Sequence, residues 1–378
     1  MIGFERHGRA LEVLKSRGRL RVLTPRAGHD FASNDYLGFA ASDFLRAAAQ
    51  DALERGVAVG SGGSRLLRGN TDEHEQLEAE AAAFFNSERA LFLGSGYVAN
   101  TAIFSSLPAP GDLVLHDALI HASAHDGMRL GRADACAFAH NDVSAAEAQI
   151  AQWRGRGGRG RIWLAVESLY GMDGDLAPLD DLAALAGRHE AILIVDEAHA
   201  TGVFGDCGRG LAQRIEGHGP LLTLHTCGKA LGVSGGLVCG AAPLIETLIN
   251  RARGFIFATA PSPLNAALVR AALRQLQISP DRQDRLQSLV AQAHGLAVKC
   301  CGLTGLSSQI IPVIIGGDKA TMALAARLQR RGFDIRGIRP PTVPRGTSRL
   351  RIAITLNISA DILADMFAAL GQELEAAA

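Results

Sequence analysis

The sequence predicts an α/β protein with a large domain, built on a mainly parallel seven-stranded sheet, and a smaller α+β domain toward the C-terminus. Two observations lead to this prediction. Between about residues 90 and 240, short apolar or β-branched runs alternate with alanine-rich stretches of helical length. After Pro261 this alternation stops and two long helical stretches follow. Continuous apolar strands separated by helices indicate a parallel sheet that is covered on both faces.

Seven apolar runs are predicted to be the strands of the large sheet. Because the carboxyl ends of parallel strands meet at one edge, residues that directly follow these runs are candidates for ligand binding. In chain order the runs are Ala90–Leu93, Leu113–Leu115, Ala135–Phe138, Arg161–Val166, Ala191–Asp196, Leu221–Thr226 and Gly236–Gly240.

The C-terminal part of the chain is predicted to form two helices, three strands and a terminal helix. In the terminal helix, apolar residues recur at helical spacing from Ile362 to Leu370, which is typical of core packing. We therefore expect an N-terminal segment of residues 1–41, a large α/β domain of residues 42–276 and a small α+β domain of residues 277–378. The elements predicted before the terminal helix are Pro263–Leu276, Arg282–Cys300, Ile310–Ile315, Phe333–Ile335 and Arg349–Thr355.

Charge and composition exclude several classes of function. The 378 residues include 38 basic and 38 acidic side chains, so no global field would recruit nucleic acid or an anionic membrane surface. The longest apolar runs fall far short of the roughly 20 residues that span a bilayer. Six scattered cysteines without a C-x-x-C pair suit neither a zinc site nor a disulfide scaffold. We expect a cytoplasmic protein with no metal, nucleic-acid or membrane partner.

A glycine-rich turn follows the first predicted strand of the sheet. Gly94–Ala99 reads G-x-G-x-x-A and opens a predicted helix. Small residues at a helix N-terminus expose backbone N–H groups to an anion, most often a phosphate. Together with Asp117, the pattern also fits the dinucleotide fingerprint of a nicotinamide dehydrogenase, and packing of the glycines alone is a third interpretation.

Two further strand ends carry candidate catalytic groups. The run ending in Asp196 continues into Glu197, Ala198 and His199, which places a carboxylate and an imidazole at the edge of the sheet. A buried carboxylate needs a positive partner, such as the protonated ring nitrogen of a cofactor or an ordinary structural salt bridge. Lys229 follows the next strand between glycines, a setting that suits the nucleophilic amine of Schiff-base chemistry, with an ordinary surface lysine as the alternative.

The ordered motifs of this chain resemble the α-oxoamine synthases, a family of pyridoxal phosphate enzymes with the fold-type I transferase architecture. The resemblance runs from about residue 10 to the C-terminus. The motifs are SNDYLG at 33–38, GSGGSR at 60–65, HASAHDG at 121–127, MDGD at 172–175, VDEAHATG at 195–202, HTCGKALGVSGG at 225–236 and RPPTVPRGTSRLRIAIT at 339–355.

The resemblance implies a role for each matched residue around the cofactor. Lys229 would carry pyridoxal 5′-phosphate and remove the α-proton of the substrate. Asp196 would pair with the pyridinium nitrogen, which keeps the ring able to accept electrons. His199 would hydrogen-bond the phenolic oxygen, and His121 would stack on the ring. Three further residues match positions that hold the phosphate of the cofactor: Gly96, Tyr97 and Thr226.

The resemblance also implies substrate-binding residues. Arg349 matches an arginine that binds the amino-acid carboxylate, for which a planar guanidinium is well suited. Asn34 lies in the segment that lines the site, and Arg21 aligns best with an arginine that recognises the acyl group, with Arg17 and Arg19 as rivals. One position departs from the family, because a serine that normally precedes the MDGD string is Gly171 here.

The last segment is most similar to the family branch of biotin biosynthesis. This implies a decarboxylative condensation of L-alanine with pimeloyl-CoA, or pimeloyl-acyl carrier protein, to 8-amino-7-oxononanoate, CO₂ and free thiol. It also implies a homodimer. The alternatives are a sister synthase that uses glycine with acetyl-CoA or succinyl-CoA, or serine with palmitoyl-CoA, and a non-catalytic partner subunit that keeps the fold.

Overall fold

A seven-stranded sheet forms the centre of the larger of two structural units. The computed structural model describes residues 3–376. Unit 1 consists of Met1–Tyr36, Gly171–Asp175 and Arg285–Ala378, and unit 2 of Leu37–Tyr170 and Leu176–Asp284. The expected division of the chain after residues 41 and 276 stays a prediction about folding domains.

The described part of the chain forms twelve strands and thirteen α-helices. The strands are β1 (His29–Asp30), β2 (Arg89–Leu93), β3 (Leu113–Asp117), β4 (Asp134–Phe138), β5 (Ile162–Glu167), β6 (Ile192–Asp196), β7 (Leu221–Thr226), β8 (Gly236–Gly240), β9 (Ile310–Gly316), β10 (Phe333–Asp334), β11 (Arg336–Ile338) and β12 (Ser348–Ala353). The helices are α1 (Glu5–Ser16), α2 (Asp43–Glu54), α3 (Asp72–Phe84), α4 (Gly96–Ser106), α5 (Ala122–Leu130), α6 (Val143–Gly155), α7 (Leu179–Arg188), α8 (Ala242–Arg251), α9 (Arg253–Ile256), α10 (Pro263–Ile278), α11 (Asp281–Cys301), α12 (Asp318–Arg330) and α13 (Ala360–Glu375).

The large sheet has the strand order β2-β8-β7-β6-β5-β3-β4. Strand β8 runs antiparallel to both of its neighbours, and the other neighbouring pairs are parallel. All seven predicted strands are present, which confirms the mainly parallel α/β fold. The carboxyl ends of β2, β3, β6 and β7 therefore lie along one edge, where β8 begins between Leu93 and Thr226.

Helices cover both faces of this sheet, which explains why its strands are apolar throughout. In β6, Ile192 and Ile194 pack into one core cluster together with residues of α4, α5 and α8. The intervening Leu193 and Val195 pack into a second cluster, formed with α6 and α7. Successive residues of a strand point to opposite faces, so burial of both faces requires an uninterrupted apolar run.

Unit 1 contains two small sheets and the C-terminal helices. Strands β11, β12 and β9 form an antiparallel sheet in that order, while β1 pairs with β10 in parallel. The terminal helix α13 buries Leu363, Met366, Phe367 and Leu370, as its apolar spacing predicts. Helix α12 and strands β1 and β11 had no counterpart among the predicted elements, because they are short or largely polar.

Within residues 3–376, no helix has both the length and the apolar character needed to cross a bilayer.

Stability is expected to fall on mild acidification because of His225 on β7. This residue is fully buried, its ring nitrogens lie 2.9 Å from the hydroxyls of Thr201 and Thr223, and its ring stacks on Phe85. Burial, with a smaller contribution from the nearby Arg209 cation, lowers the pKa of His225 from 6.5 to about 3. Below pH 6.5, His225 is therefore protonated in the unfolded chain but stays neutral in the folded chain. The free energy of unfolding declines as the pH falls from 6.5 toward 3.

Urea unfolding at two pH values measures this contribution. Between about pH 7.5 and pH 5.5 the wild type is expected to lose about 1.4 kcal/mol more free energy of unfolding than the His225→Asn variant. Each protein is compared with itself, so a general destabilisation by the substitution cancels. Equal losses in the two proteins would contradict the assignment.

Candidate active site

The candidate cofactor residues of unit 2 gather at the carboxyl edge of the large sheet. Asp196 and Thr226 are the last residues of the adjacent strands β6 and β7. Gly96 begins α4 directly after β2, and His121 precedes α5 after β3. Parallel strands thus bring together four residues that are far apart in the chain.

Asp196 is a buried carboxylate that is held by neutral donors. It is 6% exposed. Its Oδ2 accepts a hydrogen bond of 2.7 Å from the side-chain amide of Asn100 on α4, and its Oδ1 accepts one of 3.0 Å from the backbone N–H of Ala198. Because an ionised carboxylate in a low dielectric is stabilised most by an opposite charge, this arrangement is suited to a cationic ligand atom.

Lys229 and His199 form a hydrogen-bonded pair at the same edge. The Nζ atom of Lys229 lies 2.7 Å from Nε2 of His199, which is itself buried. Lys229 is half-buried in the turn that follows β7. A single proton occupies a contact of this length, so the imidazole can hold or return a proton of the amine.

Backbone N–H groups and a hydroxyl form an anion cradle at the start of α4. The Ser95 hydroxyl caps the helix by accepting from the N–H of Val98 at 3.2 Å. A Cβ on Gly96 would lie 3.2 Å from Oγ1 of Thr226, so only glycine brings the helix start this close to β7 without displacing the threonine. The positive end of the helix and the Thr226 hydroxyl together suit a phosphate group.

Tyr97 lies on the same helix turn but has a protein partner. Its side chain is 48% exposed, and its hydroxyl donates to the carboxylate of Asp126 on α5. This hydrogen bond raises the pKa of the Tyr97 phenol, since the neighbouring carboxylate disfavours a second negative charge. The expected contact of Tyr97 with a phosphate stays a prediction.

His121 occupies the N-cap position of α5. Its Nδ1 accepts from the backbone N–H of Ser123 at 3.2 Å and lies 2.7 Å from the Ser123 hydroxyl. Desolvation lowers the pKa of the His121 imidazole, the Asp196 carboxylate partly opposes this, and the Lys229 ammonium reinforces it. These electrostatic effects place His121 in the field of both catalytic candidates.

Asp117 has a structural role that argues against the dinucleotide interpretation. The carboxylate is fully buried and accepts from the backbone N–H groups of Leu119 and Asn141, each at 2.8 Å. It also bonds Nδ1 of His140 at 2.8 Å. Asp117 therefore ties two loops together at the sheet edge rather than presenting its oxygens to a ribose.

Arg349 lies in unit 1, on β12, with a buried side chain that already has an anionic partner. Its Nε donates to the carbonyl of Thr347 at 3.0 Å, and its Nη1 donates to the carbonyl of Met172 at 3.3 Å and to the carboxylate of Asp173. These three acceptors fix the plane of the guanidinium. Among the described residues none bonds the remaining nitrogen, Nη2, which is therefore available to a ligand carboxylate.

Asn34 is held by a second arginine that the sequence analysis did not single out. Its Oδ1 accepts from Nη2 of Arg351 at 2.9 Å and from the hydroxyl of Tyr36 at 3.1 Å. Arg351 also donates from Nε to the carbonyl of Gly171 at 2.5 Å. Gly171 contributes only its backbone here, so this contact does not need the serine of other family members.

The three N-terminal arginines have different surroundings. Arg21 is exposed, and its Nη2 donates to the hydroxyl of Thr342 at 3.3 Å. Arg19 forms an ion pair with Asp318 at 2.5 Å, whereas Arg17 is exposed at the end of α1. Of the three, Arg21 is the one that contacts the RPPTVP segment, so it remains the candidate for acyl recognition.

Asn100, Ser123 and Arg351 are the contacts that sequence reasoning missed. Asn100 is a buried polar residue of α4, and Arg351 lies two residues after Arg349 on the same face of β12. A buried polar side chain needs a partner. Applied to the predicted helix and strand, this rule could have identified Asn100 and Arg351 as residues that need a polar partner.

Comparison with known proteins assigns the chain to a family. Residues 28–364 match the model of the aminotransferase class I and II family. The chain is 41% identical over 371 residues to the putative 8-amino-7-oxononanoate synthase of Bacillus licheniformis, with 96% of each chain covered. It is 40% identical to the 8-amino-7-oxononanoate synthase of Geobacter sulfurreducens, with 91% of each chain covered.

Solved structures show the same architecture. The serine palmitoyltransferase of Sphingomonas wittichii superposes with a TM-score of 0.89 at 27% identity, covering 99% of this chain and 98% of that chain. The 8-amino-7-oxononanoate synthase of Francisella tularensis superposes with a TM-score of 0.76 at 29% identity, covering 93% and 98%. Both neighbours share the fold-type I transferase architecture expected from the motifs. On this evidence of sequence and architecture, the chain belongs to the aminotransferase class I and II family.

Proposed function

We propose that the protein is a pyridoxal phosphate-dependent acyltransferase that condenses L-alanine with a pimeloyl thioester, releasing CO₂ and thiol, to give 8-amino-7-oxononanoate for biotin synthesis. The observation that carries this proposal is identity of 40% or more, over at least 91% of this chain, to the two synthases described above. The grouping of Lys229, His199 and Asp196 at one sheet edge supplies the chemistry that such an enzyme needs.

The residues of unit 2 fit pyridoxal 5′-phosphate in three respects. Asp196 is a buried carboxylate with neutral donors, which suits a protonated ring nitrogen. The start of α4 at Gly96 and the Thr226 hydroxyl suit the phosphate. Lys229 supplies the amine that attaches the cofactor. When bound, the cofactor supplies an electron sink for the pair of electrons released at the α-carbon of the amino acid.

Lys229 is then the group that moves the proton. With alanine bound, the free amine of Lys229 would take the α-proton of the amino acid. His199, 2.7 Å from Nζ, holds the amine in place and can share the proton. The same amine would return a proton to the α-carbon at the end of the condensation.

Arg349 is proposed to bind the carboxylate of alanine. Its guanidinium is buried and fixed through Nε and Nη1, so binding costs little side-chain ordering. A substrate carboxylate would share this arginine with Asp173. Asn34 and Arg21 are proposed to contact substrate as well, Arg21 through the acyl chain.

We also propose that the protein works as a homodimer in the cytoplasm. The family resemblance supports the dimer, and the neutral charge balance of 38 basic and 38 acidic residues is compatible with a protein that needs no membrane surface. The mass in solution, measured by light scattering at several concentrations, tests the dimer. A monomer at all concentrations would contradict it.

A matrix of amino acids and thioesters tests the substrate assignment. Thiol release is expected to be greatest for L-alanine with pimeloyl-CoA or pimeloyl-acyl carrier protein, compared with glycine or serine and with acetyl, succinyl or palmitoyl thioesters. The structural similarity to serine palmitoyltransferase makes serine with palmitoyl-CoA the most pertinent competitor. Greater release with glycine or serine would replace the alanine assignment by a sister activity.

A further inference from the structure

A chain of hydrogen bonds joins Asp196, which is expected at the ring nitrogen of the cofactor, to His121, which is expected on the ring face. Asn100 donates one side-chain N–H to Oδ2 of Asp196 at 2.7 Å and the other to the hydroxyl of Ser123 at 3.0 Å. The Ser123 hydroxyl lies 2.7 Å from Nδ1 of His121. We call these four residues the relay. Asn100 and Ser123 are buried, at 3% and 0% exposed.

The directions of these hydrogen bonds follow from the chemistry of the groups. An ionised carboxylate only accepts, so the amide nitrogen of Asn100, and not its oxygen, must face Asp196. The hydroxyl of Ser123 accepts from Asn100 and is left to donate to His121. The backbone N–H of Ser123, 3.2 Å from the same Nδ1, can only donate. Two donors therefore converge on Nδ1 of His121.

This convergence selects one form of the imidazole. A proton on Nδ1 would compete with both donors: the Ser123 hydroxyl makes the shorter contact, at 2.7 Å, and the backbone N–H makes the longer and weaker one, at 3.2 Å. This arrangement favours the neutral imidazole that carries its proton on Nε2. Desolvation lowers the pKa of His121, which also favours the neutral imidazole. The titratable groups described near His121 are Asp196 on β6, Lys229 after β7, and Asp126 and His125 on α5.

We propose that Asn100 and Ser123 are positioning residues that hold His121 as the neutral Nε2–H imidazole and Asp196 as an oriented carboxylate, so that the cofactor ring is the cation that Asp196 meets. This inference rests on the proposed function, since it concerns the ring of pyridoxal phosphate. A cationic His121 stacked on that ring would oppose protonation of the ring nitrogen by like-charge repulsion. By holding His121 neutral, the relay avoids a second positive charge beside the ring nitrogen.

Histidine NMR on the full chain tests the proposal without a measurement of turnover. Carbon-13 and nitrogen-15 histidine labelling reports the tautomer, and the His121→Gln variant identifies the His121 resonance by its loss. In the wild type, His121 is expected to be the neutral Nε2–H form at pH 7. In Ser123→Ala the pKa of His121 is expected to rise toward its ordinary value, and both tautomers are expected to be populated.

A matched control separates this role from a general effect of losing a buried serine. Ser106 is also buried, at 7% exposed, and lies on α4 with Asn100, but its hydroxyl contacts Ser105. Ser106→Ala is expected to leave the His121 titration unchanged. In Asn100→Ala, Oδ2 of Asp196 loses the donor that orients it, so the dissociation constant of pyridoxal phosphate is expected to rise about tenfold.

Three results would overturn the proposal. They are a cationic or Nδ1–H His121 in the wild type at pH 7, a Ser123→Ala titration identical to the wild type, or an equal shift in Ser106→Ala. The first needs no variant, so it decides even if Ser123→Ala does not fold. Failure of the wild type to bind pyridoxal phosphate would instead contradict the proposed function, which the absorbance of the loaded protein reports separately.

Discussion

Replacement of Lys229 by alanine is expected to abolish condensation while the fold persists. Lys229 is assigned both the attachment of the cofactor and the transfer of the α-proton. Loss of a positioned general base alone lowers rates by about 100-fold to 10,000-fold, and loss of the attachment adds to this. The side chain is half-buried in a turn and packs in neither core cluster of the large sheet, so the cost in stability is small.

Borohydride reduction gives a second readout of this prediction. The chain has four lysines, at 15, 229, 299 and 319, so peptide mapping can locate a reduced cofactor adduct unambiguously. The adduct is expected on the peptide containing Lys229 and is expected to be absent from Lys229→Ala. Lys299→Ala, an exposed position on α11, is the matched control and should retain both adduct and turnover. An adduct elsewhere, or activity in Lys229→Ala, would contradict the assignment.

Replacement of Asp196 by asparagine is expected to have the second largest effect. The amide has nearly the same shape and can still accept from Ala198, but it carries no charge to pair with a ring cation. Loss of a hydrogen bond to a charged group costs about 1.5–3 kcal/mol. Pyridoxal phosphate is therefore expected to bind about tenfold to 100-fold more weakly. Turnover is expected to fall at least as much, because an unprotonated ring accepts electrons poorly.

Equilibrium titration of the cofactor by absorbance, together with initial rates at saturating cofactor, measures both effects. Asp117→Asn is the matched control, because Asp117 is also a buried carboxylate at the same sheet edge but holds loops instead of a ligand. It is expected to lower stability with little change in cofactor affinity. An Asp196→Asn protein that binds and turns over like the wild type would show that Asp196 is a structural acid.

The elements that the sequence predicted well share a physical origin. The strands of the large sheet are buried on both faces, so each is a continuous apolar run that stands out from its neighbours. The N-terminal part of the chain and helix α12 lack such a contrast. Helix α1 has no buried residue. Helix α12 buries a few apolar residues but also carries arginines, which weaken its apolar pattern. Pattern alone therefore underdetermined these elements.

The order of the strands was not accessible from the pattern. Strand β8 is as apolar as its neighbours, yet it runs antiparallel to β7 and β2 and lies between them. Its insertion brings the end of β2, and hence the start of α4 at Gly96, to the same edge as Thr226. The phosphate cradle depends on this placement.

The chemistry of the site was determined by the sequence itself, because Asp196, His199 and Lys229 follow apolar runs whose ends must meet at one sheet edge. The partners of these residues were decided only by the tertiary structure. Asn100 reaches Asp196 across 96 residues of chain, and Arg349 reaches Asp173 across 176. Local pattern reports whether a side chain is buried. Which polar group meets it depends on the path of the whole chain, since a buried polar atom takes its partner from whatever element packs beside it.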